Sequence, residues 1–300
     1  MYEFIFAQND KTNKKFIRKS YEVKRHLNIT ALHTLFEAVY DSGYSFVGES
    51  HNFWECVYIT DGNATVTSND KIYHLEANDV IFHKPFEFHN LQIENSENAR
   101  IFIFSFTESG EFMKYFENKV FKLSKMQKST VEMLNEYLNS KYSQINSAKE
   151  SNVKNYMECY NSFSAFSNTV ISYIELLFLQ LRDNAGLIVL SNVTSPKAEL
   201  FKEAVNFMNA NITSNLSVNQ IAKYCHTSTT GLKQVFYDYA GLGVHKYFLH
   251  LKISAATRLL ENGEPVGSVA ESLGFSSPGY FSSVYKRETG YSPSQINPKP

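Results

Sequence analysis

The sequence predicts an α+β chain of several domains. A β-barrel or sandwich comes first, a helical connector follows, and an all-α unit closes the chain with two helix-turn-helix motifs joined by a long helix. Three observations carry this. Short apolar stretches separated by turn dipeptides fill residues 29–106. From Phe112 onward the apolar spacing changes to threes and fours. Near the end, one layout of helix, glycine turn and helix occurs twice. Ile221, Ala222 and Cys225 match Val269, Ala270 and Leu273 at an offset of 48, and Leu232, Val235, Phe236 and Gly241 match Phe281, Val284, Tyr285 and Gly290 at an offset of 49.

The expected strands are 29–40, 46–47, 56–59, 64–67, 72–75, 80–83 and 101–106, with turns at Asp61-Gly62 and Asn69-Asp70. A helix is expected to start at Phe112, Tyr115 and Phe116, and a second to cover 126–138. The polar stretch 139–152 reads as a loop. Phe163, Phe166, Val170, Ile174, Leu177 and Leu181 then form a stripe along a helix of about 30 residues. That stripe suits pairing with the same helix of a second subunit, or packing on the chain's own barrel. Residues 183–195 read as a linker.

Beyond it, 197–211 is an amphipathic helix. Ser217 and Gln220 form a capping box before a support helix at 218–225. A reading helix spans 229–239 and ends at Gly241. The connecting helix, 244–262, would be roughly 28 Å long at 1.5 Å per residue, against about 34 Å for one turn of B-DNA. Residues 266–273 form the second support helix, which Gly274 ends. Ser276 or Ser277 caps the second reading helix, with Pro278 in its first turn and Gly290 at its close.

Three hundred residues, 43% of them apolar, suit two domains and a connector. The division expected is 1–108 barrel, 109–185 connector, 186–196 linker and 197–300 helix-turn-helix domain. Residues 1–110 carry 10 basic and 15 acidic side chains, net −5, whereas 195–300 carry 10 and 7, net +3. This asymmetry agrees with a nucleic-acid partner at the C-terminal end. Cys56, Cys159 and Cys225 are odd in number and widely spaced, which suits reduced core thiols in a cytoplasmic protein rather than a disulfide or zinc framework. Residues 1–9 lack the features of a signal peptide, and the longest apolar run, 174–181, is too short to cross a bilayer. No membrane partner is expected.

Residues 274–290 read Gly-Phe-Ser-Ser-Pro-Gly-Tyr-Phe-Ser-Ser-Val-Tyr-Lys-Arg-Glu-Thr-Gly. With Leu216-Ser217-Val218-Asn219-Gln220-Ile221-Ala222 and Tyr291-Ser292-Pro293, this block resembles the DNA-binding domain of AraC/XylS-family transcription regulators over about a third of the chain. Gly243 and Gly279 depart from the family pattern, the first standing where a serine cap is usual and the second where a polar residue is usual. The resemblance implies double-stranded DNA as partner, a homodimer, a small-molecule effector such as a sugar or related metabolite, and RNA polymerase as a further partner of an activator.

Candidate DNA contacts are Ser228, Thr229, Thr230, Lys233, Gln234 and Tyr237 in the first unit. In the second they are Ser276, Ser277, Pro278, Gly279, Ser282, Ser283, Lys286 and Arg287. Gln234 suits adenine and Lys233 a guanine or phosphate, so the first unit is expected to carry most base readout. The second, with shorter side chains, is expected to act through phosphate contacts and groove fit.

The spacings Gly43-x5-Glu49-x-His51-x3-Glu55-x6-Gly62 and Asn78-x5-Lys84-Pro85-Phe86-x2-His89 resemble the two cupin motifs, with Glu49 in place of the first histidine. This implies an effector site of Glu49, His51, Glu55 and His89, walled by Phe53, Trp54 and Tyr58. No cofactor and no metal are expected; Glu49, His51, Glu55 and His89 are the ligands in the less favoured metal alternative. A further alternative makes His51 and Glu55 a structural pair with no ligand. His33, His74 and His83 are taken as strand residues without special roles. Two rivals remain: a metal-dependent cupin enzyme with a DNA-binding tail, and a constitutive DNA binder whose barrel serves dimerisation. With no nucleophile–base constellation and no phosphate loop, catalysis is the weaker reading.

Overall fold

The computed structural model describes residues 21–22, 24–93, 97–146, 152–183, 187–188 and 195–296. Residues 1–20, part of the first expected domain and of its signal-peptide reading, and most of the expected linker at 186–196 lie outside them.

The strands are β1 (Ile29–Tyr40), β2 (Trp54–Asp61), β3 (Asn63–Ser68), β4 (Lys71–Glu76), β5 (Asp79–His83), β6 (His89–Ile93), β7 (Ala99–Glu108), β8 (Val120–Lys122), β9 (Val153–Asn155) and β10 (Leu187–Ile188). They form a seven-stranded sheet, β10-β8-β5-β2-β7-β1-β9, and a three-stranded sheet, β4-β3-β6. Every pairing in them is antiparallel. Side chains alternate between the faces of a strand, and the large sheet buries both faces. Val57, Ile59, Ile81, Ile101 and Ile103 point toward the small sheet and meet Ala64, Val66, Tyr73 and Leu91. Trp54, Cys56, Tyr58, Phe82, Phe102, Phe104 and Phe106 point the other way, under α1 (Lys125–Ile145) and α2 (Phe166–Asp183). This second layer buries nine of the 24 phenylalanines of the sequence.

Several expectations are corrected here. Residues 46–47 form no strand, although Phe46 N donates to Leu91 O at 2.9 Å. Strands β6, β8 and β9 are too short, or too polar, to show a clear period. Phe112–Phe116 is a single 3-10 turn rather than the start of an α-helix. Helix α1 runs on through residue 145, into the stretch expected as loop, of which 147–151 lie outside the described residues. Helix α2 has 18 residues, not about 30, and Phe163 precedes it. Its stripe of Phe166, Val170, Ile174, Leu177 and Leu181 is fully used within the chain, against the sheet and α1. A partner subunit therefore cannot use that seam. The outward face carries Leu176 and Leu179 instead, 44% and 46% exposed.

The C-terminal part contains α3 (Pro196–Ala210), α4 (Val218–Tyr224), α5 (Thr229–Ala240), α6 (Val244–Glu261), α7 (Val266–Ser272), α8 (Pro278–Thr289) and α9 (Pro293–Ile296). Its boundaries follow local chemistry. Ser217 accepts from Gln220 N while the Gln220 side chain accepts from Ser217 N, closing the expected capping box. Ser228 and Ser277 cap α5 and α8. Gly241, Gly274 and Gly290 take positive φ where α5, α7 and α8 end.

Helix α6 serves two cores. Tyr247, Phe248 and Leu251 pack with the first unit, and Ile253, Ala256 and Leu260 with the second. Between them Lys252 is buried. Its ammonium donates to Leu273 O at 2.7 Å and reaches Asn215 Oδ1 at 3.5 Å, so one cation ties both units to their common rod. Gly274 lies beside it with φ +69°, and a Cβ there would meet Thr213 O at 2.3 Å. Gly274→Ala is expected to destabilise the second unit by on the order of 2 kcal/mol or more, from the left-handed backbone plus the clash. Thermal unfolding followed by circular dichroism checks this.

Candidate nucleic-acid interface and barrel site

At about 100° per residue, an α-helix separates its faces cleanly. On α5, Thr230, Lys233, Gln234 and Tyr237 share the exposed face, with Thr229 half-buried, while Leu232, Val235 and Phe236 are buried. On α8, Pro278, Gly279, Ser283 and Lys286 share the exposed face, opposite Phe281, Val284 and Tyr285. Both expected reading faces are therefore free of the barrel.

The individual side chains differ in readiness. Tyr237 is 68% exposed. Gln234 Nε2 donates to Asp238 Oδ1 at 2.7 Å, and Asp238 also pairs with Lys197 at 2.9 Å, so the glutamine is held rather than loose. Ser282 and Ser283 turn their hydroxyls onto the carbonyls of Pro278 and Gly279 at 2.8 and 3.0 Å. Arg287 is paired with Glu288 at 2.7 Å, while Lys286 stands exposed. Ser228 and Ser277 spend their hydroxyls on helix caps.

The barrel meets the first unit at the far end of its reading helix. The last carbonyls of a helix have no partner within it, and here the barrel supplies two. Thr67 Oγ1 on β3 donates to Tyr239 O at 2.6 Å, and Gln92 Nε2 on β6 donates to Asp238 O. Tyr247 of α6 donates to Asn69 O at 2.9 Å, and its ring packs edge-on against Phe88, centroids 4.8 Å apart. Gly241 sits in the same seam, where a Cβ would lie 3.1 Å from Phe46 O.

Behind this seam lies a cavity of about 170 Å³ between the sheets, lined by Phe36, Tyr40, Tyr44, Phe46 and several polar groups. Glu49, Glu55, His83, His89 and Asn90 contribute those groups. Four of the expected effector residues, Glu49, His51, Glu55 and His89, converge with ligand atoms within 4.8 Å of one another. Burial opposes the charge of Glu55, but the imidazoles of His51 and His89 outweigh it and hold the carboxyl below the ordinary carboxylate range. Burial likewise opposes charging His89, but Glu55 outweighs it and raises the imidazole above its ordinary value.

Three expected wall residues lie elsewhere. Trp54 and Tyr58 alternate onto the opposite face of β2 and belong to the core under α1 and α2. Phe53 stacks on His51, centroids 3.9 Å apart, and lines a separate cleft between barrel and C-terminal helices. His83 is more than a strand residue. It is fully buried, stacked on His89 at 4.2 Å, and its Nδ1 stands 3.0 Å from Ser68 Oγ. Asn90 was not anticipated. A lone asparagine in a weak strand has no sequence signal, yet it is 2% exposed and neither end of its amide has a hydrogen-bond partner.

A cavity-bearing barrel is joined here to paired helix-turn-helix units, and the comparisons match both parts. The AraC-like ligand-binding domain family matches residues 34–115, and a helix-turn-helix domain family matches 221–298. The chain is 22% identical over 250 residues to the HTH-type transcriptional regulator YidL of Escherichia coli, covering 82% of this chain and 75% of YidL. It is 28% identical over 130 residues to the arabinose operon regulatory protein of Escherichia coli, covering 41% of this chain and 44% of that one. It is 24% identical over 107 residues to the bifunctional transcriptional activator/DNA repair enzyme AdaA of Bacillus subtilis, spanning 35% of this chain and about half, 51%, of AdaA. The chain belongs to the AraC-type transcription regulators. Among the described residues no helix is long and apolar enough to cross a membrane.

Thr67→Val keeps the shape of the side chain and removes its bond to the α5 terminus. It is expected to destabilise the joined domains by about 1 kcal/mol, since a half-buried carbonyl loses its partner. Urea unfolding of the full chain measures it.

Proposed function

We propose that the chain is a dimeric, sequence-specific promoter binder whose barrel takes a small polar molecule, of the size of a sugar or related metabolite, and passes its presence to the first reading helix. The cavity carries this reading: Glu49, Glu55 and His89 set polar groups beside Phe36, Tyr40, Tyr44 and Phe46. A hydroxyl-bearing ligand supplies donors and acceptors to the former, and the aromatic walls suit its apolar faces. Side chains alternate along β6, so His89 faces the cavity while Asn90 and Gln92 share the face toward α5, and movement of the strand on binding reaches Asp238 and, through it, Gln234.

The dimer would use the outward face of α2, Leu176 and Leu179, together with Met126 and Met133 of α1, which are exposed. Leu176→Glu with Leu179→Glu is expected to convert dimer to monomer in analytical ultracentrifugation without changing the circular dichroism spectrum.

A thermal-shift screen of monosaccharides and sugar acids tests the barrel. The expected outcome is stabilisation by one compound class in the natural chain and its loss in Tyr40→Leu, which removes part of the cavity wall. Stabilisation that survives in Tyr40→Leu would remove that wall from the site. On DNA, Gln234→Ala is expected to lose about 1–3 kcal/mol of discrimination at one base position. Ser283→Ala should weaken all sequences alike or not at all, as read by titration of operator variants at fixed salt.

A further inference from the structure

The cleft between the barrel and the second helix-turn-helix unit has a volume of about 260 Å³. Phe53 and Phe86 wall it on the barrel side, and Ile253, Tyr285, Tyr291 and Ile296 on the helical side. Among the described residues that line it, Glu288 near the end of α8 is the one acid, and no lysine or arginine is present. Arg287 pairs with this carboxylate from the solvent side, with Nε and Nη2 both on Oε1 at 2.8 and 2.7 Å. Oε2 is left on the cleft side, 3.9 Å from His250 Nε2, which is too far for a hydrogen bond. The Glu288 side chain is only 12% exposed, so little water reaches that oxygen. Burial pushes the His250 imidazole below its ordinary value, so it stays neutral and does not balance the charge.

The barrel wall of the cleft is held in place at a backbone cost. Phe86 takes φ +61°, a left-handed value uncommon for phenylalanine, and its N–H donates to His51 O at 2.7 Å. Phe53 is stacked between His51 and His33, with ring centroids 3.9 and 4.1 Å away. Strain of this kind gathers at ligand clamps. A carboxylate oxygen without a donor, set among aromatic rings, suits a cation with an apolar body. The head pairs with the oxygen, and the ring faces attract positive charge. We infer that the cleft binds a small organic cation, an amine or amidine carrying a ring or a short chain, between the barrel and the second unit. Ser254, half-buried on α6, offers a hydroxyl that accepts a second N–H.

Such a ligand joins parts that the seam leaves apart. The seam's hydrogen bonds from Thr67, Gln92 and Tyr247 run between the barrel and α5 or α6. A cation in the cleft reaches α8 through Glu288 and the turn beyond it through Tyr291, so it fixes the second unit against the barrel. The site is separate from the barrel cavity: Tyr40, Glu49 and Glu55 line the one, and Ser254, Glu288 and Tyr291 the other. It does not depend on the sugar reading of that cavity.

The test uses the full chain without DNA. Benzamidine is the probe, and benzamide, of the same shape but neutral, is the control. Calorimetric titration is expected to show a single class of site for benzamidine and binding at least about tenfold weaker for benzamide. Benzamidine, and not benzamide, should raise the midpoint of thermal unfolding. Glu288→Gln, which keeps the size of the side chain, should weaken benzamidine binding about tenfold, and Tyr291→Leu, at an exposed ring, severalfold. Glu271→Gln, an exposed acid on α7, should change nothing. Tyr40→Leu, in the wall of the barrel cavity, should bind benzamidine as the natural chain does. The inference is overturned if the natural chain binds benzamidine no better than benzamide, or if Glu288→Gln binds it as tightly as the natural chain. Binding kept in Glu288→Gln and lost in Tyr40→Leu would put the cation in the barrel instead. Failure here leaves the sugar reading standing, and failure of the sugar screen leaves the cleft site standing.

Discussion

The arrangement of the molecule depends on a helix end that cannot satisfy itself. Helix α5 finishes with carbonyls that its own turns leave over, and the barrel's Thr67 and Gln92 take two of them. Because those donors belong to a different domain, the reading helix is complete only when the barrel is in place. The capping contact is half-buried and directional, so it specifies orientation as well as contributing stability. Tyr247 and Phe88 add an apolar pad beside it, and the small side of Gly241 lets the backbones approach.

This has a bearing on signalling. Strand β6 is shared between cavity and seam: His89 and Leu91 face the interior, and Asn90 and Gln92 face α5, which Gln92 reaches. A ligand that binds one placement of β6 better than another biases the seam by that difference and no more. No separate relay is needed, since the sensing and capping groups are at most three residues apart on one strand.

Features set by local chemistry were legible in the sequence. The serine caps, the Ser217–Gln220 box and the glycine ends of α5, α7 and α8 depend on neighbours within a few residues, and all were readable. So was the convergence of Glu49, His51, Glu55 and His89, which the resemblance to the two cupin motifs implied. What failed needed knowledge of a distant surface. The α2 stripe announced a buried face but not its partner, which proved to be the phenylalanine side of the chain's own sheet. Trp54 and Tyr58 were assigned to the cavity by proximity to Glu55, although odd and even positions of β2 face opposite layers. Asn90 is invisible in one dimension, since an unpaired amide is a property of its surroundings.

Lys252 has a consequence for the target rather than for the protein. One buried ammonium joins the ends of both helix-turn-helix units to α6, with Phe248 and Phe275 rings 5.2 and 5.7 Å away. A linkage of that kind leaves little room for the units to pivot independently. Where both units engage one duplex, as proposed, the phase between the two half-elements is dictated by the polypeptide, and it is the duplex that must flex to meet it. Promoters would then be ranked partly by how cheaply the uncontacted base steps between those elements can bend.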